Sequence, residues 1–400
     1  MKKSLIAVAV AGLFAAPAAM AEVTISGAIN LGIEVVDTKD GSALTTGFFA
    51  GTPANPGLSR NFLNANYSNM NFSSTDDIGN GNKVIFNYQL VVDPSSFGNP
   101  VNRNSYLGMA GNWGAFKMGS NENVYERHMY QADPLDGALG PGGNLMILGT
   151  PGANTAFEVG QAGCLVTGCV GFYRRTDNTI WYESPNWNGF TFEVDYTLSA
   201  SKFDGGPGIG TIDPTVLSAG AKWKPEGMPF YVDVAIEQHE DMFGTAKISS
   251  PTTTTGSSDD GFQVGAGFSI AGFDLHARFE QLSYETDGTT AGDLNKLERD
   301  AIWFGVKYNL PSGYIGGEIG QADDWDTTCT GLACPAPDTG ATMYGIGYFH
   351  NLSKQSQLQF IYASTDNDSQ GTYTQAGAQG FAGGPGSDHT VIHVGLKHTF

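Results

Sequence analysis

The sequence predicts an all-β protein, a sixteen-stranded antiparallel barrel that crosses a membrane. Three observations carry this. Short segments with a hydrophobic period of two recur from Val23 to Phe400 without a domain linker. The connections between them alternate between tight turns and long polar stretches. Aromatic residues recur near the ends of the apolar faces, at Tyr88, Tyr182, Phe192, Tyr196, Tyr308 and Tyr362, as they do at membrane interfaces.

The N-terminus comes first. "MKKSLIAVAVAGLFAAPAAMAE" has two lysines, an apolar stretch from Leu5 to about Ala16, and a small-x-small site at Ala19-Met20-Ala21. That is the pattern of a secretory signal peptide. Residues 1–21 are expected to be removed, leaving a barrel domain over 22–400. Beyond it no apolar run approaches the ~20 residues of a membrane helix. The chain carries 55 Gly and 12% aromatic residues, which favours turns and strands.

The first strand is "VTISGAINLGIEVV", with Val23, Ile25, Ile29, Leu31, Ile33 and Val35 on one face. A noisier second strand lies near Arg60 to Phe72. After the turn "DIGNGN", the third strand "KVIFNYQLVV" alternates Val84, Phe86, Tyr88 and Leu90 with Lys83, Asn87 and Gln89. "RNSYLGMA" and "AFKMGSN" flank the turn "GNWG". A long stretch runs from about Asn121 to Gly171. Ten further strands follow it, among them "FTFEVDYTLSA" and "TMYGIGYFHN", and the last strand is "HTVIHVGLKHTF". In this last strand Ile392, Val394, Leu396, His398 and Phe400 share one side.

Turns after even-numbered strands are tight, and those after odd-numbered strands are long, acidic and rich in Gly, Thr and Ser. Bacterial membrane barrels sort short periplasmic turns from long outer loops in this way. A soluble β-sandwich would also alternate. It would have to bury or turn outward Glu193, Asp195, Asp233, Glu237, Asp274, Arg278 and Glu280. A water-filled bore holds them directly. An open edge strand is not tolerated in lipid, so the last strand is expected to pair with the first.

The formal net charge is −20, and about −22 once Lys2 and Lys3 are gone. This balance opposes nucleic-acid binding and favours cations or a cation-preferring pore. The four cysteines form two similar pairs, Cys164 with Cys169 and Cys329 with Cys334. In an exported chain two local disulfides are the default, but three connectivities are open. No His lies close in sequence to either pair, so a metal site is disfavoured. "DDWD" and "DNDSQG" look like fragments of a calcium loop but lack its closing Glu. No cofactor is expected, and no nucleophile–His–acid motif suggests an outer-membrane enzyme.

Several segments together resemble the Gram-negative general porins, in the variety typical of Neisseria and its betaproteobacterial relatives. They are "EVTISGAINLGIE", "SSTDDIGNGNKVIFNYQL", "NRNSYLGMAGNWGAFKMGSNENV", "RTDNTIWYESPNWNGF", "YFHNLSKQSQL" and "VGLKHTF". Each is weak alone, but their shared order spans the chain. The resemblance implies a homotrimer in the bacterial outer membrane, in contact with its lipids and lipopolysaccharide. It implies passive diffusion of ions and small hydrophilic solutes. It also implies a constriction loop, here about residues 122–171, folded into the bore after the fifth strand.

Carried over residue by residue, the resemblance puts Arg103 and Arg175 on the pore wall. Asp177 shares a face with Arg175, and Lys83 and Lys117 lie in inward register. The candidate loop acids are Glu122, Glu126, Asp133 and Asp136. The family's other wall arginines are replaced: Asn69, Ser120 or Asn121, and Trp181 stand in their places. A cation-preferring or weakly selective pore follows, with a substrate-specific channel as the alternative. Cys164–Cys169 would close a small loop before the sixth strand, and Cys329–Cys334 another in a late outer loop. The resemblance further makes Phe400 a signal for the outer-membrane assembly machinery.

Overall fold

The computed structural model describes residues 23–41, 56–135, 140–150, 171–198, 215–240, 257–285, 294–331, 338–375 and 385–400. Residues 1–21, the expected signal peptide, lie outside them. Among the described residues, nineteen β-segments form one antiparallel sheet that closes on itself. Three pairs of segments are halves of single interrupted strands, so the wall has sixteen strands, as expected.

The strands are β1 Thr24–Thr38, β2 Leu58–Asn64 with Asn69–Gly79, and β3 Asn82–Val91. Next come β4 Val101–Asn102 with Ser105–Gly111, and β5 Gly114–Glu122. A short helix α1, Val124–Tyr130, and a 3₁₀ turn at Asn144–Met146 follow β5. The wall resumes with β6 Arg175–Glu183, β7 Phe190–Thr197, β8 Thr215–Trp223 and β9 Phe230–Glu240. It continues with β10 Ser258–Ile270, β11 Phe273–Glu285, β12 Leu294–Leu310, and β13 Gly313–Ala322 with Asp326–Cys329. β14 Ala341–Asn351, β15 Ser356–Asn367 and β16 His389–Thr399 complete it.

Wall strands such as β1, β9, β10 and β16 bury one face and expose the other. On β16, Ile392, Val394 and Leu396 are exposed while His393 is buried. On β1, Ile33 is exposed and Glu34 buried. This inverts a soluble fold: apolar side chains face outward and charge faces in, as a wall between lipid and an aqueous bore requires. Aromatic pairs ring the outside next to the short turns. Trp113 stacks on Tyr182 at 6.5 Å, Trp223 meets Phe230 at 5.7 Å, and Phe273 meets Tyr308 at 4.5 Å.

The barrel closes where β16 pairs with β1, from Ala28 opposite Thr399 to Thr38 opposite His389. Phe400 extends the ladder: its N–H donates to the Gly27 carbonyl at 3.1 Å, and its carbonyl accepts from the Gly27 N–H at 3.0 Å. Inside the seam, His393 fills the space above paired Gly32 and Gly395. A Cβ at Gly32 would lie 2.2 Å from His393 Cε1, so the ring requires glycine there. His393 Nδ1 then meets Glu34 Oε1 at 3.1 Å, and Asn64 and Asn66 donate to the same carboxylate.

The noisy second strand has a physical cause. Between its halves the chain turns inward, with Tyr67 in the left-handed region at φ 52°. Alternation fails there because the backbone leaves the wall. A second difference concerns the bore, whose inner wall is not uniformly polar. Leu282, Tyr284, Leu297, Ala301, Trp303 and Met343 are buried on the inside of β11–β14. In stretches such as "AIWFGV" both faces are apolar, so period two cannot tell inside from outside. The apolar inner face has a partner: Tyr125, Met129, Leu145, Ile147 and Leu148 of the segment after β5 pack against it. The buried apolar cluster thus sits inside the barrel, on one side.

Candidate pore lining and its charge cluster

The segment after β5 enters the bore and is tied to the wall by polar contacts. α1 lacks a side-chain cap of its own at Asn123. The wall caps it instead: Asp195 Oδ2 accepts from the Val124 N–H at 2.8 Å, and Ser218 Oγ from the Tyr125 N–H at 2.9 Å. A carboxylate at a helix N-terminus is favourable in both hydrogen bonding and dipole. Tyr125 Oη donates to Glu280 at 3.0 Å, and Gln263 donates to the Tyr125 carbonyl at 2.7 Å. Arg127 pairs with Glu193 at 2.5 Å, and His128 meets Asp233 at 3.3 Å. Further along, the Gly149 N–H donates to Glu280, which Arg299 also holds at 3.0 Å. The wall acids Glu193, Asp195, Asp233 and Glu280 therefore hold the inserted segment.

Its other side faces a compact charge cluster. Glu122, at the end of β5, accepts from Arg103 at 2.8 Å. It is also bonded to Arg175 and to the Tyr130 hydroxyl. Glu126, in the first turn of α1, lies 3.3 Å from the same Arg175. The Arg103 guanidinium stacks over the Tyr67 ring at 4.2 Å, a favourable cation–π geometry. The inward corner of β2 thus meets the inserted segment across these arginines. Burial pushes the Glu126 carboxyl up to about 7, against the pull of Arg175. Burial and then Glu122 raise the Tyr130 hydroxyl, so it stays a donor.

Arg103, Arg175 and the Glu122–Glu126 pair come from three separate stretches of sequence and meet in one place. Lys117 faces inward and pairs with Glu183 at 2.5 Å, with Trp181 beside it. Lys83 has inward register but is exposed at the rim, directly after the β2–β3 turn. Asp133 holds its own segment, accepting from the Leu135 and Asn144 N–H groups at 2.8 and 2.9 Å. Asp177 does not join Arg175 in this cluster. Left-handed Asn178, at φ 59°, accompanies a register slip on β6, and Asp177 is exposed. Asp136, Cys164, Cys169 and Cys334 lie outside the described residues. Cys329 is disulfide-bonded.

Three residues of this region escape a sequence reading. Tyr67 follows from no periodic pattern, Tyr130 looks like an ordinary apolar position, and Arg127 faces an acid 66 residues away. The two calcium-like fragments also meet. Exposed Asp324 and Asp368, with Asp338, bring their carboxylate oxygens within 4.8 Å of one another.

The whole chain aligns with known channels. Outer membrane porin protein 32 of Delftia acidovorans is 24% identical over 405 residues, covering all of both chains. An outer membrane porin protein of Bordetella pertussis is 24% identical over 445 residues, again covering all of both. Among solved structures, the anion-selective porin from Comamonas acidovorans superposes with a TM-score of 0.68. It is 20% identical, and the match covers 95% of this chain and 100% of that one. A trimer form of OmpT from Vibrio cholerae gives a TM-score of 0.61 at 13% identity, covering 95% and 99%. The family model described as Gram-negative porin matches residues 7–370, so the chain belongs to the Gram-negative porins, outer-membrane proteins that form water-filled channels for passive diffusion.

Proposed function

We propose that this porin is a weakly selective diffusion channel whose narrowest point lies at Arg103, Arg175, Glu122 and Glu126. The carrying observation is the charge balance of that cluster. Two guanidiniums face two carboxylates, bonded to one another rather than left open to passing ions. Selectivity in such a pore comes from the residual field and from steric fit. The Comamonas porin is described as anion-selective. Here the replacement of wall arginines by Asn69 and Trp181 removes positive charge from the corresponding wall. The constriction would be supplied by the segment within about 122–171, with Lys117 beside it. Asp133 serves that segment's shape, and Lys83 the entrance.

Around this pore we further propose a mature chain starting at Glu22, a homotrimer embedded in outer-membrane lipid and lipopolysaccharide, and Phe400 as the assembly signal. Its action is passage rather than catalysis. Cys164–Cys169 and Cys329–Cys334 would staple exposed loops.

The test is purified protein in planar bilayers. Linear, non-saturating conductance with a small reversal potential in a KCl gradient is expected. A strong anion preference would overturn weak selectivity. Conductance that saturates with one organic solute would favour a substrate-specific channel instead.

A further inference from the structure

The inserted segment returns toward the wall at Gly171–Arg174, and there it closes over a buried charge cluster. On β9 and β10, His239 lies directly opposite Asp259, and Glu237 directly opposite Gly261. His239 Nδ1 meets Asp259 Oδ2 at 3.2 Å, and its Nε2 meets Glu237 Oε1 at 2.8 Å. Arg174 Nε lies 3.5 Å from the same Glu237 oxygen and donates to the Gly171 carbonyl at 2.9 Å. No more than 3% of any of these four side chains is exposed. Gly261 leaves room for Phe172: a Cβ there would lie 2.6 Å from Phe172 Cδ1. The Phe172 ring stacks on the His239 ring at 4.3 Å and meets Tyr284 edge-on at 5.8 Å. Its N–H donates to the Gly149 carbonyl at 2.7 Å, so the site fastens both the outgoing and the returning chain.

The proton count of the cluster follows from this geometry. A neutral imidazole has one N–H and one lone pair. Both His239 nitrogens face carboxylate oxygens, so one further proton lies in the cluster, on the ring or on one of the two acids. With it, His239, Glu237 and Asp259 carry a single net negative charge, which Arg174 balances. Without it, the cluster holds an uncompensated buried charge, which is costly. The other ionisable groups around it do not supply that balance. Tyr125 and Tyr284 are phenols, neutral below about pH 10. Glu280 pairs with Arg299, Glu126 with Arg175, and Asp195 caps α1. Asp260 and Glu240 are exposed to solvent.

We propose that this cluster is a proton-held latch on the inserted segment, closed at neutral pH and released as the pH rises. In the open form its groups meet water at their ordinary values, about 6.5 for His and about 4 for the acids. The extra proton then passes to hydroxide in the bore. The closed form binds one proton more than the open form, so each unit above about pH 6.5 favours opening by up to ~10-fold. Glu237→Gln removes the need for that proton. Its amide donates to His239 Nε2, while the Nδ1–H donates to Asp259. Asp259→Asn does the same from the other side of the ring. The inference rests on the pore reading only in taking the inserted segment as the part that narrows the bore.

The experiment uses the whole folded protein in detergent and in planar bilayers. Trypsin is added at pH 7 and at pH 9, with its rate normalised to a small peptide substrate at each pH. Cleavage after Arg174 or Arg175, identified by fragment mass, follows the population of the open form. It should rise at least ~10-fold from pH 7 to pH 9 in the wild type and stay level in Glu237→Gln and Asp259→Asn. Phe172→Ala, which removes the stacked ring, should be cleaved rapidly at both pH values. In bilayers, open-channel current noise should rise over the same interval in the wild type and not in Glu237→Gln. Equal wild-type cleavage at the two pH values, a wild-type pH dependence in either folded variant, or full protection of Phe172→Ala would overturn the latch. Cleavage that follows pH with no change in current would uphold the latch and overturn the inserted segment's part in the constriction instead.

Discussion

Replacing Glu122 by Gln is the most direct probe of the charge cluster. The side chain keeps its shape, and its oxygen can still accept from Tyr130. It loses the negative charge that faces Arg103 at 2.8 Å and Arg175. An ion passing about 6 Å away in water feels a unit charge as ~0.7 kcal/mol. Screening at 0.1 M salt reduces this to ~0.4 kcal/mol. Cations and anions respond with opposite sign, so the permeability ratio should move about fourfold toward anions. The assay is the reversal potential across a tenfold KCl gradient, wild type against variant. Breaking a buried pair from one side also costs about 3 kcal/mol, the lower end of the usual range because Arg175 keeps Glu126. The unfolding temperature should therefore fall. An unchanged permeability ratio in folded Glu122→Gln trimers would refute the placement of the selectivity cluster.

Other expectations follow from the same geometry. Glu126 has its folded-state value raised above the ordinary carboxylate range, to about 7. Its contribution to stability is therefore greatest below pH ~4.5 and declines as pH rises toward 7. Acidification from pH 8 to 5.5 should neutralise it and shift reversal potentials toward anions, a shift that Glu126→Gln abolishes. Gly32→Ala would push a Cβ into His393. It should lower barrel stability by about 1–3 kcal/mol in a urea unfolding titration. Deleting Phe400 removes two backbone bonds to Gly27. It should reduce the yield of inserted protein in outer-membrane fractions, while channels that do form keep wild-type conductance.

Much of the wall was legible in the sequence because lipid imposes a strict rule on it. One face must be apolar and every strand paired, so "HTVIHVGLKHTF" and "VTISGAINLGIEVV" announce themselves. The charge cluster was legible only in part. Arg103, Arg175, Glu122 and Glu126 could be named, but not Tyr67 or Tyr130, which complete it. Asp177 lies exposed just before left-handed Asn178, where the β5–β6 register slips, a break that no alternation in the sequence announces. The apolar inner face of β11–β14 was invisible, since a strand apolar on both sides has no period to read.

The chain's own order of residues was enough for the barrel, its sixteen strands, its orientation rule of short and long connections, and its seam at Phe400. These depend on local alternation and on turn length, which are properties of neighbours in sequence. What fills the bore was decided only by the tertiary structure. Glu280 reaches Tyr125 across 155 positions and Gly149 across 131, and Lys222 reaches Gln131 across 91. Closing the sheet brings these groups to a common axis, and no local pattern encodes which inward residues then meet.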